Sequence, residues 1–289
     1  MSTKKIYSTY LLMPALILYM LLFVVPCVTA FGYSLTNWNS VSESIRFIGL
    51  DNFKEILNPA NDYLSSISHT MVFAVFSTLF KAVIGLALAM LLNQKLRTQE
   101  LLRGVYFMPY AISPLIIGII FTSVLNPETG VLNSFFHTIG LDFMAQSWLV
   151  DPKFALGSVI AVEVWREIGL NMVIYIAGMQ MIDKSYYEAA SIDGAGNLAK
   201  FIKITIPFLA SATTINLVLN TIHGLRVFDI VFSLTGGGPG NTTEVLNTAV
   251  LRAYSMGTYG LSTALGVIVF IITSVIALSA LKILMPKEE

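Results

Sequence analysis

Residues 187–207 read YEAASIDGAGNLAKFIKITIP, a polar, charged interruption between two long apolar runs. Just upstream, Ser185-Tyr186-Tyr187-Glu188 has the capping-box spacing, in which a serine hydroxyl takes the backbone N–H three residues on and the glutamate reaches back. A short helix is therefore expected to begin there. Gly194 and Gly196 supply the backbone freedom that ends such a helix and turns the chain. Asn197 is placed to cap a second short helix running into Phe201, Lys203 and Ile204. The stretch reads as two short helices meeting at a glycine elbow.

The chain around this elbow is apolar. Of 289 residues, 55% are hydrophobic and only 12% charged, and mean hydropathy is +0.75. That charged fraction is about half the globular norm and points to a bilayer. Acidic and basic side chains balance at 17 each, which gives no reason to expect a nucleic-acid partner. The single cysteine, Cys27, excludes an intrachain disulfide. His69, His137 and His223 are too scattered to argue for a metal, and no nucleophile with a paired base is present, so no catalytic residue is assigned. Gly236-Gly237-Gly238 is not a phosphate loop, because no Gly-Lys-Ser/Thr follows; Gly194-x-Gly196-x-x-Ala199 lacks the preceding strand that gives a dinucleotide pattern meaning.

Six apolar runs, at 11–33, 70–92, 104–125, 155–178, 204–222 and 260–281, each approach or exceed the roughly 20 residues that a helix needs to cross a bilayer. The first follows Lys4 and Lys5 but is too long for a signal-peptide core of about 7–15 residues, and reads as an uncleaved span. Six spans put both termini on one side. Lys4, Lys5, Lys95, Arg97, Arg103, Lys184, Lys200, Lys203, Lys282 and Lys287 fall on that side, against Arg46, Lys54, Lys153, Arg226 and Arg252 over longer loops opposite. The bias places both termini, and the elbow, in the cytoplasm.

Polar side chains inside the spans mark one region. Glu163, Glu167 and Asn171 share a face of the fourth span; Asn216, Asn220 and His223 share a face of the fifth and its outer end. Charges at membrane depth cost about 2.5–3.5 kcal/mol each on insertion scales and turn to a cavity or a partner. The stripes fit a substrate pathway. They equally fit packing, with Arg166 paired to Glu163 or Glu167 and the asparagines bonding neighbouring helices. Lys81 stands alone in the second span, at a subunit interface or paired with a carboxylate that the sequence does not identify.

The elbow resembles the cytoplasmic signature shared by permease subunits of binding-protein-dependent ABC importers. Glu188, Ala189 and Ala190, then Asp193, Gly194 and Ala195, then Phe201, Ile204 and Pro207 fall at its positions, with Ile206 where leucine is more frequent. The resemblance runs from about residue 10 to 285 and implies an all-α type I importer permease: one polytopic domain, 1–289, with six transmembrane helices, a coupling segment at 183–207 and an external loop at 223–258. It implies that Glu188, Ala189, Ala190, Asp193, Gly194 and Ala195 dock on an ATPase, so that ATP and Mg are bound by that partner and not by this chain. The implied partners are a second homologous permease, two ATPase subunits, an extracytoplasmic substrate-binding protein and the lipid of a prokaryotic inner membrane.

Substrate class rests on Leu234 to Gly240, which resembles a glycine-rich element of the carbohydrate-uptake branch found in the larger maltose-type membrane subunit. Three glycines and a proline form no regular element. The segment is either a bare turn or, through Gly236, Gly237, Gly238 and Pro239, a contact surface for the binding protein. The resemblance also implies a pathway formed by the helices before and after the elbow and by Tyr110, within Pro109-Tyr110-Ala111. A sugar is expected as substrate; sn-glycerol 3-phosphate or a polyol, or an ion-coupled sugar carrier, are the alternatives.

Overall fold

A computed structural model of the chain describes residues 12–41, 44–94 and 97–284. Leu11, Lys4, Lys5, Lys95 and Lys287, used above for the first span and the charge bias, lie outside the described residues. Among those residues the structure is helical, and the one extended pairing is an isolated bridge between Thr36 and Phe47.

In chain order the helices are α1 (Met13–Tyr33), α2 (Asp51–Ile56), α3 (Tyr63–Leu92), α4 (Gln99–Ala111), α5 (Pro114–Val124), α6 (Val131–Thr138), α7 (Pro152–Gln180), α8 (Lys184–Ile192), α9 (Asn197–Phe208), α10 (Ala210–Leu225), α11 (Asp229–Leu234), α12 (Leu246–Ser255) and α13 (Tyr259–Leu284). Helices α1, α3 and α13 are long and apolar enough to cross a membrane. Two more runs expected as continuous spans are broken: α4 meets α5 at 98°, and α9 meets α10 at 63°. The sixth, α7, has 29 residues but carries Glu163, Arg166 and Glu167 near its middle.

Prolines account for the breaks. Pro109 lies inside α4 and Pro114 opens α5, while Ile112 and Ser113 between them are extended, the conformation imposed on a residue before proline. Pro207 precedes the second bend. Pro26 and Pro207 each follow a wider, π-helical turn, at Met20–Val24 and Phe201–Thr205. A proline ring removes one N–H and crowds the carbonyl four residues back, and the wider turn relieves both effects.

Helix α7 is central, packed on α3, α4 and α10. Close approach is possible because small residues lie at the contacts. A Cβ on Gly169 would come within 2.1 Å of the Tyr106 carbonyl on α4, and one on Gly85 within 2.6 Å of Asn171 on α7. Gly169→Val is therefore expected to push α4 off α7 and to destabilise the chain by about 1–3 kcal/mol. A depressed Tm for the purified protein checks this; an unchanged Tm would show that α4 is free to move.

Helix α1 buries none of its residues in the chain and contacts α13. At its far end Tyr33 stacks near Trp38, with ring centroids 4.5 Å apart, and Trp38 near Tyr259 at 4.9 Å. Such an aromatic cluster suits a membrane–water boundary. Gly49 to Phe53 lies at the same end, where Asn52 donates to the carbonyls of Ser34 (2.8 Å) and Thr36 (2.9 Å). That stretch staples the end of α1.

Candidate functional site

Arg166 is the central residue of α7, 14 residues from Pro152 and 14 from Gln180. At 1.5 Å per residue this is about 21 Å from either end, the middle of a bilayer if α7 spans one. Four charges converge there. The Lys81 ammonium, reaching over from α3, donates to Glu163 Oε1 at 3.0 Å and to Glu167 Oε2 at 2.5 Å. Arg166 donates from Nε to Glu163 Oε2 at 3.2 Å and from an Nη to Glu167 Oε1. Each carboxylate thus has Lys81 on one side and Arg166 on the other. Residue exposures of 0% for Lys81, 5% for Glu163, 8% for Arg166 and 1% for Glu167 show why both cations are needed: an unpaired charge at such a position is strongly destabilising.

The alternation i, i+3, i+4 places Glu163, Arg166 and Glu167 on one face of α7, and that face opens on a cavity of about 500 Å³. Tyr110, at the broken end of α4, lies across it with its ring centroid 5.9 Å from the Arg166 guanidinium. His223, near the end of α10, brings Nδ1 to 3.4 Å from Glu167 Oε1 with 55% of its side chain exposed. Arg226, Phe228 and Asp229 complete the wall. The lone lysine thus finds its partner in the pair of acids.

The stripes divide at this point. Tyr110, Glu163, Glu167 and His223 line the cavity; Asn171, Asn216 and Asn220 do not. Asn220 donates to Asn171 Oδ1 at 2.5 Å and to the Asn216 carbonyl at 2.8 Å, and Asn171 donates to the Glu167 carbonyl at 3.1 Å. All three are buried and join α7 to α10.

At one end of this bundle lies the elbow. Its first helix, α8, begins two residues earlier than the capping box at Ser185 requires: the cap is Asp183, whose carboxylate accepts the Ser185 backbone N–H at 2.8 Å. Those bonds hold the Asp183 carboxyl below the ordinary carboxylate range. Likewise Gly196, not Asn197, precedes the second helix, and Asn197 is its first residue. Asp183 and Gly196 are the extended residues at these junctions, as an N-cap needs. Gly194 ends α8 at φ +77, where Ala195 donates to the Ala190 carbonyl at 2.8 Å and Gly194 to that of Ser191 at 3.1 Å, the paired bonds of a glycine C-cap.

Helix α8 buries no residue. Glu188, Ala189, Asp193 and Gly194 are exposed, and Ala190 and Ala195 half-buried. Beside them Ile192 is 87% and Leu198 71% exposed. Three contacts tie the elbow to the start of the α9–α10 pair. The Tyr187 hydroxyl is 3.0 Å from that of Thr205, Lys200 donates to the Ser191 hydroxyl at 2.7 Å, and Tyr186 packs on Phe208 with centroids 4.7 Å apart.

Beyond α10 and α11, the glycine-rich segment is not a bare turn. Gly236, Gly237, Gly240 and Asn241 have φ between +52 and +95; Thr243 donates to the Gly238 carbonyl at 2.6 Å and lies 2.7 Å from the Thr235 hydroxyl. Next to it Glu244, 2% exposed, accepts from Ser66 at 2.9 Å and from Arg252 at 2.8 Å. Ser66 is 178 residues away in sequence, on the first turn of α3. Sequence reasoning missed this anchor, as it missed Asp229 on the cavity wall, because no local periodicity links such partners.

Burial raises the Glu244 carboxyl above its ordinary value, against the opposing pull of Ser66 and Arg252. The folded chain therefore holds this proton more readily than the unfolded one. The burial cost is present at neutral pH and is relieved as pH falls through the raised value. Glu244→Gln, which keeps an acceptor for Ser66, is expected to leave Tm nearly unchanged at neutral pH. Glu244→Ala strands Ser66 and Arg252 and should cost about 1–3 kcal/mol; equal Tm values for the two variants would contradict the anchor.

Comparison with known proteins adds four findings. Residues 81–288 match the family described as binding-protein-dependent transport system inner membrane component. Over 273 residues the chain is 29% identical to the trehalose/maltose transport system permease protein MalF of Thermococcus litoralis, covering 94% of this chain and 92% of that one. Over 284 residues it is 34% identical to the sn-glycerol-3-phosphate transport system permease protein UgpA of Agrobacterium fabrum, covering 96% and 93%. In fold it is similar to the crystal structure of a bacterial ABC transporter involved in import of the acidic polysaccharide alginate, with a TM-score of 0.82 at 24% identity over 95% of this chain and 93% of that one. With the family match spanning the helices that build the cavity and the elbow, the chain belongs to the inner-membrane permease components of binding-protein-dependent ABC transport systems.

Proposed function

We propose that this chain is one of two homologous permease subunits of an ATP-driven importer for a neutral mono- or oligosaccharide. The observation that carries the reading is the cavity at the midpoint of α7, lined by two cations, Arg166 and Arg226, and three anions, Glu163, Glu167 and Asp229, with Lys81 buried behind the wall as the third cation. Such a wall offers charged and aromatic hydrogen-bonding partners suited to sugar hydroxyls but no excess charge to recognise an ionic solute. A sugar permease among the relatives supports the class.

In this reading the whole chain is one six-span domain of a prokaryotic inner membrane with both termini in the cytoplasm. Segment 183–207 docks on one of two ATPase subunits, which bind ATP and Mg. The exposed Ile192 and Leu198 give that subunit an apolar grip, and the contacts of Tyr186, Tyr187 and Lys200 pass its motion to α10. The proline bends at 112–113 and 209 are where the halves of each broken helix pivot. On the opposite face, the loop held by Glu244 presents Gly236 to Pro239, within external segment 223–258, to a loaded binding protein. The chain moves its solute without altering it.

One second reading has an observation of its own. Arg166 and Arg226 both line the cavity, and a phosphate would recruit them, as in a glycerol-phosphate carrier. Calorimetry on the binding protein that supplies this transporter, once its coding sequence is identified, with maltose, trehalose and sn-glycerol 3-phosphate as probes, separates the two. Heat on titrating a neutral sugar and none with the phosphate ester is expected; the reverse would sink the sugar reading.

A further inference from the structure

We propose that Lys81, which never reaches the cavity, is a positioning residue for it: by neutralising Glu163 and Glu167 from behind, it fixes the net charge of the pathway wall at zero and leaves Arg166 held in front, facing Tyr110. The ammonium is fully buried and lies within 3.0 Å of both carboxylates. Arg166 binds the two opposite oxygens, so neither carboxylate can turn without releasing one cation. And the lysine comes from α3 while the acids come from α7, so the charge of a wall that α7 presents is set by a helix behind it. The inference holds whichever solute the cavity carries.

An apolar side chain at 81 would leave two carboxylates and one guanidinium, a charge of −1 at mid-membrane. Charge there is expelled or neutralised, so the site, with His223 Nδ1 3.4 Å from Glu167 Oε1, should take up a proton. The remaining titratable or charged groups around it are Tyr110 on α4, His223 on α10, and Arg226 and Asp229 beyond α10. The difference between the variant and wild-type profiles is the quantity to read.

The test uses the full chain purified in detergent, with Tm followed from about pH 8 to about pH 6, where ordinary carboxylates and lysines keep their charge. Lys81→Met is expected to lower Tm at the alkaline end by roughly 6–20 °C, with part of the loss recovered toward the acid end relative to wild type. Lys81→Met combined with Glu163→Gln restores neutrality and should regain most of the Tm and lose the added pH dependence, and Lys81→Arg should track wild type. In the reconstituted transporter, ATP hydrolysis should follow the same order. If Lys81→Met cannot be purified, recovery of folded protein by the double variant takes the place of the Tm difference. A Lys81→Met protein as stable as wild type with an unaltered profile, or a double variant no better than the single, overturns the proposal, because a lysine that only filled space would be served by methionine alone.

Discussion

Arg166→Leu should yield a protein that inserts poorly, unfolds early and does not transport. The variant strips the cavity wall of the cation that binds both acids, leaving Lys81 with two carboxylates, each almost wholly buried. Breaking a buried ion pair by removing one partner costs about 3–5 kcal/mol, a large share of the stability of an ordinary domain. Arg166→Lys should recover part of the stability but little of the transport. A lysine keeps the charge, yet it lacks the planar fork that now reaches Glu163 through Nε and Glu167 through Nη, and it cannot stack toward Tyr110 in the same way. Tm and uptake by the reconstituted system measure the two effects separately. Wild-type uptake by Arg166→Leu would mean that the solute passes elsewhere.

Gly194→Val should act in the opposite way, strongly impairing transport while sparing the fold. The residue sits at φ +77, and a β-branched side chain is strained there even though a Cβ would meet nothing within 4 Å. The strain, about 1–2 kcal/mol, falls on a nine-residue helix that buries nothing and has little else to hold its end. The end of α8 should re-form differently, moving Asp193 and Ala195 away from the surface they share with Glu188, Ala189 and Ala190. Membrane insertion and Tm are expected to stay near wild type, with uptake reduced about tenfold or more, since 1.4 kcal/mol in a coupling step is a factor of ten. Gly194→Ala should be milder. Normal uptake by the valine variant would detach the elbow from the transport cycle.

How far the sequence discloses this molecule depends on the range of the interaction concerned. The elbow was legible because its causes are local: a cap, a helix of nine residues and a glycine at its end. Even there the start moved from Ser185 to Asp183, since two potential caps lie two residues apart and only the backbone decides between them. The long helices were legible as apolar runs, but not the bends at 112–113 and 209, because a proline permits a kink without setting its angle. The polar face of α7 could be read from its spacing, and pairing of Arg166 with its neighbours was one of two readings of it. Lys81 could not be placed: its partners are 82 and 86 residues away, and helix-to-helix register is invisible in one chain's pattern. The same limit hid Glu244 and Ser66.

The asparagines show where spacing misleads. Asn171, Asn216 and Asn220 share helix faces with the cavity residues, yet one turn further along those faces the helices have closed on each other, and the amides bond across the seam. A periodic face says which side chains point together, not whether another helix already occupies the space.

The most direct measurement is solute uptake by proteoliposomes holding the complete transporter, with the loaded binding protein on one side and ATP supplied only on the side of residues 183–207. Uptake that requires ATP and Mg on that side, and that persists when every ion gradient is collapsed, is what a motor gripping this elbow must produce. Uptake driven by an ion gradient with no nucleotide present would contradict it.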